Sequence, residues 1–202
     1  MRMPYSLLFA VAVAGAGCKS EADGRGSPAA PPTRTDLVRR GDTPLTLVGR
    51  QPEVGAKAPD ATLRDADLKP VELASVEGKL LVLSVVPSID TRVCESQTHH
   101  VSDAIAQMPP GTEVMTISRD LPFAQRRFAE EAMTKTKMLS DYKERDFGRA
   151  WGLEVAESGL LARSVWVIGA DGTIRYREIV ADQTQEPDYD ALLAGVKAAA
   201  GG

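Results

Sequence analysis

Cys94 stands in the string VVPSIDTRVCESQT, directly after a continuous apolar run and at the opening of a helical pattern. A thiol placed there is suited to act as a nucleophile. Backbone N–H groups and the positive end of the helix dipole favour the thiolate, which is the reactive form. The competing reading of a lone cysteine is a small buried hydrophobe, and the polar residues around Cys94 weigh against it. With Thr91 as the N-cap, Cys94 is the third helical residue. A cap hydroxyl normally reaches the N–H of that residue, so helix geometry alone makes Thr91 and Cys94 neighbours. Pro87 ends the apolar run, as a residue without an N–H does between a strand and a helix.

Other candidate groups add less. His99 and His100 are the only histidines, and at about 100° per residue they point roughly 140° and 240° round the helix from Cys94. They read as surface residues, and no metal or other cofactor is expected. A copper-handling role would need a second cysteine and a correctly spaced histidine. Gln97 and Thr98 fall in the next helical turn, behind the thiol at best. Trp151, Trp166, Phe123, Phe128 and Phe147 have core-like spacing. Arg163 is the only basic residue between Arg149 and Arg175, just ahead of the apolar run SVWVIG.

These residues need elements to hold them. LLVLSVV (80–86) is apolar throughout, as a central strand covered on both faces should be. Val101, Ala104, Ile105 and Met108 then share a helical face, and Pro109 with Pro110 stops the helix. EVMTIS (113–118) is the next buried strand. Pro122 opens a second helix running to about Met133 with Asp120 as its cap, and a third covers Tyr142 to Trp151. SVWVIG and TIRYREIV, joined at Asp171 and Gly172, signal a hairpin, and Tyr189 to Ala199 a terminal helix. Ahead of them LVRRGDTPLTLVG reads as a hairpin turning at Gly41 and Asp42, Gly55 to Pro59 as a loop, and Thr62 and Val71 to Leu73 as short extended pieces. The order gives an α/β sandwich with mixed strand directions.

The chain has 202 residues, 24 basic and 28 acidic, with a formal charge of −4. Residues 1–17, with Arg2, the apolar LLFAVAVAGAG and small residues before Cys18, have the shape of a secretory signal and are too short to span a bilayer. A small-residue run ending in cysteine resembles a bacterial lipoprotein cleavage site, with Cys18 as the lipidated residue, although Gly15 stands where that pattern usually has Leu. The expectation is an exported envelope protein, periplasmic or anchored by lipid. Residues 18–35, rich in Pro, Gly, Ala and small polar residues, read as a flexible tether. The remaining 36–202 suit one domain. A mildly acidic chain argues against nucleic acid as a partner. Cys18 and Cys94 are the only cysteines, which leaves no disulfide scaffold and no CxxC pair.

Pro87, Thr91 and Cys94, spaced PxxxTxxC, resemble the peroxidatic-cysteine loop of the peroxiredoxins. SIDTRVC, RDLPFAQRRF and LLARSVWVI, three separated motifs in order, resemble the thiol peroxidase branch over roughly residues 36 to 198. The resemblance implies a thioredoxin-like fold, a mixed central sheet flanked by helices, and a homodimer. It also implies reduction of hydrogen peroxide and organic hydroperoxides by Cys94. Thr91 would then contact the thiolate and the peroxide, Pro87 would shield the thiolate, and Arg163, in the context GLxAR, would stabilise it and bind the peroxide. Many members carry a resolving cysteine where this chain has Ala129. Recycling of a Cys94 sulfenic acid would thus need an external thiol, from a thioredoxin-like protein or a small molecule, or a second subunit. The other reading is a non-catalytic thiol sensor or binding module on the same scaffold.

Overall fold

The computed structural model describes residues 30–76 and 78–201. The expected signal (1–17), Cys18 and most of the expected tether lie outside the described residues. Residues 31–202 form one compact unit.

The chain opens with the antiparallel pair β1 (Thr33–Arg40) and β2 (Thr43–Val48), turning at Gly41 with φ 59°. A left-handed turn residue is where glycine carries no steric cost. This corrects the tether boundary: β1 begins inside the 18–35 span. Its first four side chains are exposed, and backbone pairing such as Thr33 with Val48 holds them, which composition does not reveal.

The main sheet has seven strands in the order β10-β9-β5-β6-β7-β3-β4. β3 is Thr62–Arg64, β4 Pro70–Glu72, β5 Leu81–Val85, β6 Glu113–Ser118 and β7 Lys137–Ser140. β8 (Glu154–Val155) instead joins the opening hairpin, and β9 (Ser164–Ile168) and β10 (Ile174–Ile179) complete the large sheet. β5, β6 and β7 run parallel through helical crossovers, while β9 lies antiparallel to β5. This is the mixed thioredoxin-like sheet.

Period-two alternation sorts the side chains onto two faces. Val82, Val114, Val165 and Val167 pack with α1 (Arg92–Ala104) and α4 (Tyr189–Ala200). Leu81, Leu83, Val85, Met115, Ile117, Trp166 and Ile168 pack with the hairpin and with Phe147 and Trp151. Burying one such aliphatic side chain stabilises by about 1.5–3 kcal/mol.

Several boundaries differ from the sequence reading. α2 is Pro122–Glu131, shorter than expected, because Met133 turns left-handed at φ 47°. α3 is only Asp146–Ala150. Arg145 is left-handed at φ 57°, and the carboxylate of Asp141 accepts the N–H groups of Phe147 and Gly148, so the helix starts where that carboxylate serves it. Phe123, expected in the core, is 60% exposed on α2. β7 and β8 are too short for their apolar content to show a period.

Candidate functional site

The last residue of β5, Val85, pairs with Ser164 at the start of β9. That register brings Arg163 beside the loop from Pro87 to Thr91 and the first turn of α1. Cys94 is fully buried there, in a small apolar cluster with Val86, Ile89 and Met138, against which Ala124, Phe128 and Ala129 pack.

Two groups touch its sulfur. The Thr91 hydroxyl donates to Sγ at 2.8 Å and Arg163 Nη2 donates at 3.3 Å. Thr91 is the N-cap as expected, but its side chain makes no cap bond. The hydroxyl is spent on the thiol instead, which corrects the expected bond to the N–H of Cys94.

Arg163 is only 2% exposed. Its backbone N–H donates to Gln183 Oε1 at 2.5 Å and its Nε to Gln183 O at 3.2 Å. Nη1 donates to Gln97 Oε1 at 2.7 Å and to Val93 O at 3.4 Å. A guanidinium has five N–H donors. Four are occupied by these contacts and by Sγ, which leaves one on Nη2. None of the partners is a carboxylate.

Gln97 belongs more closely to the site than its position suggested. It is fully buried, and its amide donates to Ser84 Oγ at 2.9 Å, a polar group set into an otherwise apolar strand. A serine within LLVLSVV was the available signal. Thr98 only donates to the carbonyl of Cys94 within its own helix. Gln183 went unread because nothing near it in sequence carries chemistry. Asp120 is a correction: it does not cap α2, whose N-cap is Leu121. Its carboxylate reaches back to accept from Ser88 Oγ at 2.8 Å and Ile89 N at 2.9 Å.

His99 and His100 are exposed as expected, and no group among the described residues is arranged to hold a metal ion. His100 Nδ1 lies 2.7 Å from Glu186 Oε2. Burial raises the Glu186 carboxyl, but hydrogen bonds from Tyr189, Ser96 and His100 outweigh it and hold it below its ordinary range. Tyr189 is driven strongly upward by burial and by that carboxylate.

A cavity of about 230 Å³ opens beside the thiol. Pro87, Thr91 and Arg163 line it, with Leu45, Leu160 and Arg40 among its other walls. A larger one of about 320 Å³, floored by Leu81, Trp151 and Ile168, lies at the other end of β5 and has no thiol in its walls. The chemistry belongs to the smaller cavity.

A thioredoxin-like domain with a buried thiol in the first turn of a helix, beside a cationic side chain, defines the class of thiol-based redox proteins. The comparisons narrow it. The Redoxin family profile matches residues 53–193. Thiol peroxidase from Halalkalibacterium halodurans is 45% identical over 157 residues, covering 77% of this chain and 94% of that one. Thiol peroxidase from Bacillus subtilis is 41% identical over 156 residues, covering 77% and 93%. Among solved structures, a peroxiredoxin-like protein from Aquifex aeolicus superposes with a TM-score of 0.76 at 35% identity, covering 81% and 97%. The chain belongs to the redoxin family, and it is a thiol-dependent peroxidase. The reading as a non-catalytic sensor is not favoured.

Proposed function

We propose that this peroxidase runs a one-cysteine cycle in the cell envelope, with Cys94 as nucleophile, Thr91 and Arg163 as peroxide-binding groups, Pro87 as a shield, and an external thiol as reductant. The observation that carries the reading is the buried guanidinium of Arg163 with Sγ of Cys94 and no carboxylate among its partners. Buried charges are paired, and a Cys94 thiolate is the anion placed to pair with this one.

The Cys94 thiolate attacks one peroxide oxygen. An S–O bond forms, the O–O bond breaks, and the second oxygen leaves with a proton as water or alcohol. The free N–H on Arg163 Nη2 serves the charge developing on the leaving oxygen, and the Thr91 hydroxyl, which donates to sulfur, can accept from the peroxide O–H. Cys94 is left as a sulfenic acid. It is the only free cysteine among the described residues, and Ala129 packs where a resolving thiol would sit. An external thiolate then displaces hydroxide from sulfur, and a second thiol releases Cys94. The substrates in this reading are hydrogen peroxide and organic hydroperoxides, and the assembly is a homodimer. Residues 1–17 act as the export signal, and a lipid on Cys18 is the sole membrane attachment.

Mass spectrometry of the full chain tests these points together. Peroxide alone should carry Cys94 to sulfenic and then sulfinic acid, and peroxide followed by a small thiol should give a mixed disulfide. The mature N-terminus should be an acylated Cys18. A disulfide between Cys94 and Cys18 within one chain would overturn both the external reductant and the lipid assignment.

A further inference from the structure

Arg39 and Arg40 end β1 side by side, and period-two alternation sends them to opposite faces. Arg39 Nη1 donates to Asp182 Oδ2 at 3.0 Å and to the carbonyl of Gly41 at 2.6 Å. Arg40 shares the face of Val38, which pairs with Leu45 and packs in the core. Arg40 is exposed, yet it lines the thiol cavity together with Arg163. Among the described residues its guanidinium makes no hydrogen bond or ion pair. The inward face of β1 therefore ends in an unspent cation at the cavity.

No carboxylate lines that cavity to neutralise it. Two that lie close to the lining residues in sequence are committed elsewhere. Asp182 accepts from Arg39, from the N–H of Gly41 at 3.2 Å and from Thr184 Oγ1 at 2.8 Å. Glu157, next to the lining residue Ser158, accepts the N–H of Thr46 at 3.0 Å. Leu45, Val155, Leu160 and Leu161 supply apolar wall.

Hydrogen peroxide uses none of this. Its two oxygens are served by Thr91 and the free N–H of Arg163, and it needs neither an apolar wall nor a second cation. Both features suit a larger substrate with an apolar body and an anionic end. At about 230 Å³ the cavity falls just below the range of about 300–1,000 Å³ usual for ligand pockets, so that substrate is short.

We propose that Arg40 is a specificity-determining residue, which binds the carboxylate of a short apolar hydroperoxide while the hydroperoxide group meets Cys94, Thr91 and Arg163. The inference rests on the roles of those three residues proposed above and narrows the organic substrate to an acidic one. The Cys94 thiolate attacks the terminal oxygen and the O–O bond breaks. The hydroperoxide proton passes to the leaving oxygen, so a hydroxy acid departs and a sulfenate remains on sulfur. A guanidinium meets a carboxylate with two parallel charge-assisted bonds, which fixes the orientation of the substrate as well as its charge.

Full-length wild type, Arg40→Met and Arg40→Lys are each mixed with hydrogen peroxide, with cumene hydroperoxide and with the para-carboxylate of cumene hydroperoxide. Loss of the reduced Cys94 thiol in a single turnover, with no reducing thiol present, is followed by rapid quench and mass spectrometry. Wild type should react with the carboxylate about five- to tenfold faster than with neutral cumene hydroperoxide, the scale of a well-oriented but partly exposed arginine–carboxylate pair. Arg40→Met should erase that preference and leave the other two rates near wild type, and Arg40→Lys should keep part of it. A wild type that does not prefer the carboxylate, a preference that survives Arg40→Met, or an equal fall with all three peroxides overturns the inference and leaves the role of Cys94 standing. A Cys94 that none of the three oxidises overturns that role and the inference with it.

Discussion

Arg163 and Arg119 both bury their guanidinium groups, with residue 163 at 2% exposure and the side chain of 119 at 7%, but they face different company. Arg119 Nε binds Asp141 Oδ2 at 3.1 Å, Nη2 binds Glu154 Oε2 at 2.8 Å, and Nη1 donates to the carbonyl of Gly159. Its charge is neutralised by two carboxylates, and it ties the end of β6 to β8 and the start of α3. Arg163 has amide and carbonyl oxygens on three sides and a sulfur on the fourth. One cation is neutralised by its carboxylates and structural. The other is held in a fixed pose with charge and one N–H to spare, the preorganisation that stabilises charge developing in a transition state.

The largest expected effect lies on the sulfur itself. Cys94→Ser should abolish peroxide reduction, because a serine hydroxyl is not appreciably ionised near neutral pH and is the poorer nucleophile. Residual turnover comparable to wild type in a coupled peroxide assay would remove Cys94 from the mechanism and leave the comparison between the two arginines without meaning.

The same substitution at each arginine then separates them. Arg163→Met should lower the second-order rate with hydrogen peroxide by about 30- to 1000-fold, the equivalent of about 2–4 kcal/mol for a charge-assisted donor lost from a desolvated site. Arg119→Met should leave the rate per folded molecule near wild type but cost about 3 kcal/mol or more of stability in denaturant unfolding, since Asp141 remains buried without its cation. If Arg119→Met lost activity at full stability, or Arg163→Met lost stability at full activity, the assignment of the two roles would be reversed.

How far these differences were legible in the sequence depends on how the residues are brought together. Pro87, Thr91 and Cys94 lie in one loop and one helical turn, so local geometry sufficed to place them side by side. Arg163 is 69 residues from Cys94 and meets it only through the β5–β9 register, which no local pattern encodes. The motif resemblance supplied it. Gln183 and Asp120 act through long-range hydrogen bonds. Asp120 looked like an ordinary cap because it precedes a proline-led helix, while its carboxylate in fact turns to another loop. In the fold, long apolar strands and proline stops read clearly. β7, β8 and the start of β1 did not, because backbone pairing defines them more than side-chain periodicity. The shortened α3 was illegible for a related reason: its start is set by Asp141, and Asp141 is fixed by Arg119.

That last dependence gives the smallest and most discriminating prediction, a pH dependence confined to the structural arginine. Burial raises the Asp141 carboxyl above its ordinary value, with Arg119 and the N–H groups of Gly148 and Phe147 offsetting part of the rise. Burial also pushes Glu154 upward, but Arg119, Arg145 and Arg149 outweigh it and hold that carboxyl below its usual range. A carboxyl raised on folding contributes stability that is fully present below its unfolded pKa and is lost as pH rises through its folded one. Arg119→Met should raise Asp141 further and weaken the depression of Glu154. Both changes penalise the ionised native state, so the stability gap between Arg119→Met and wild type should be smallest near the ordinary carboxylate range of about 4 and widen toward neutral pH. With Cys94→Ser in both proteins, so that no thiolate pairs with residue 163, Arg163→Met should show no such widening, because no carboxylate depends on that guanidinium. Unfolding free energies measured in parallel from acid to neutral pH check both. A gap at residue 119 that stays constant with pH would mean that Arg119 stabilises the domain through packing of its side chain and not through the two carboxylates it faces.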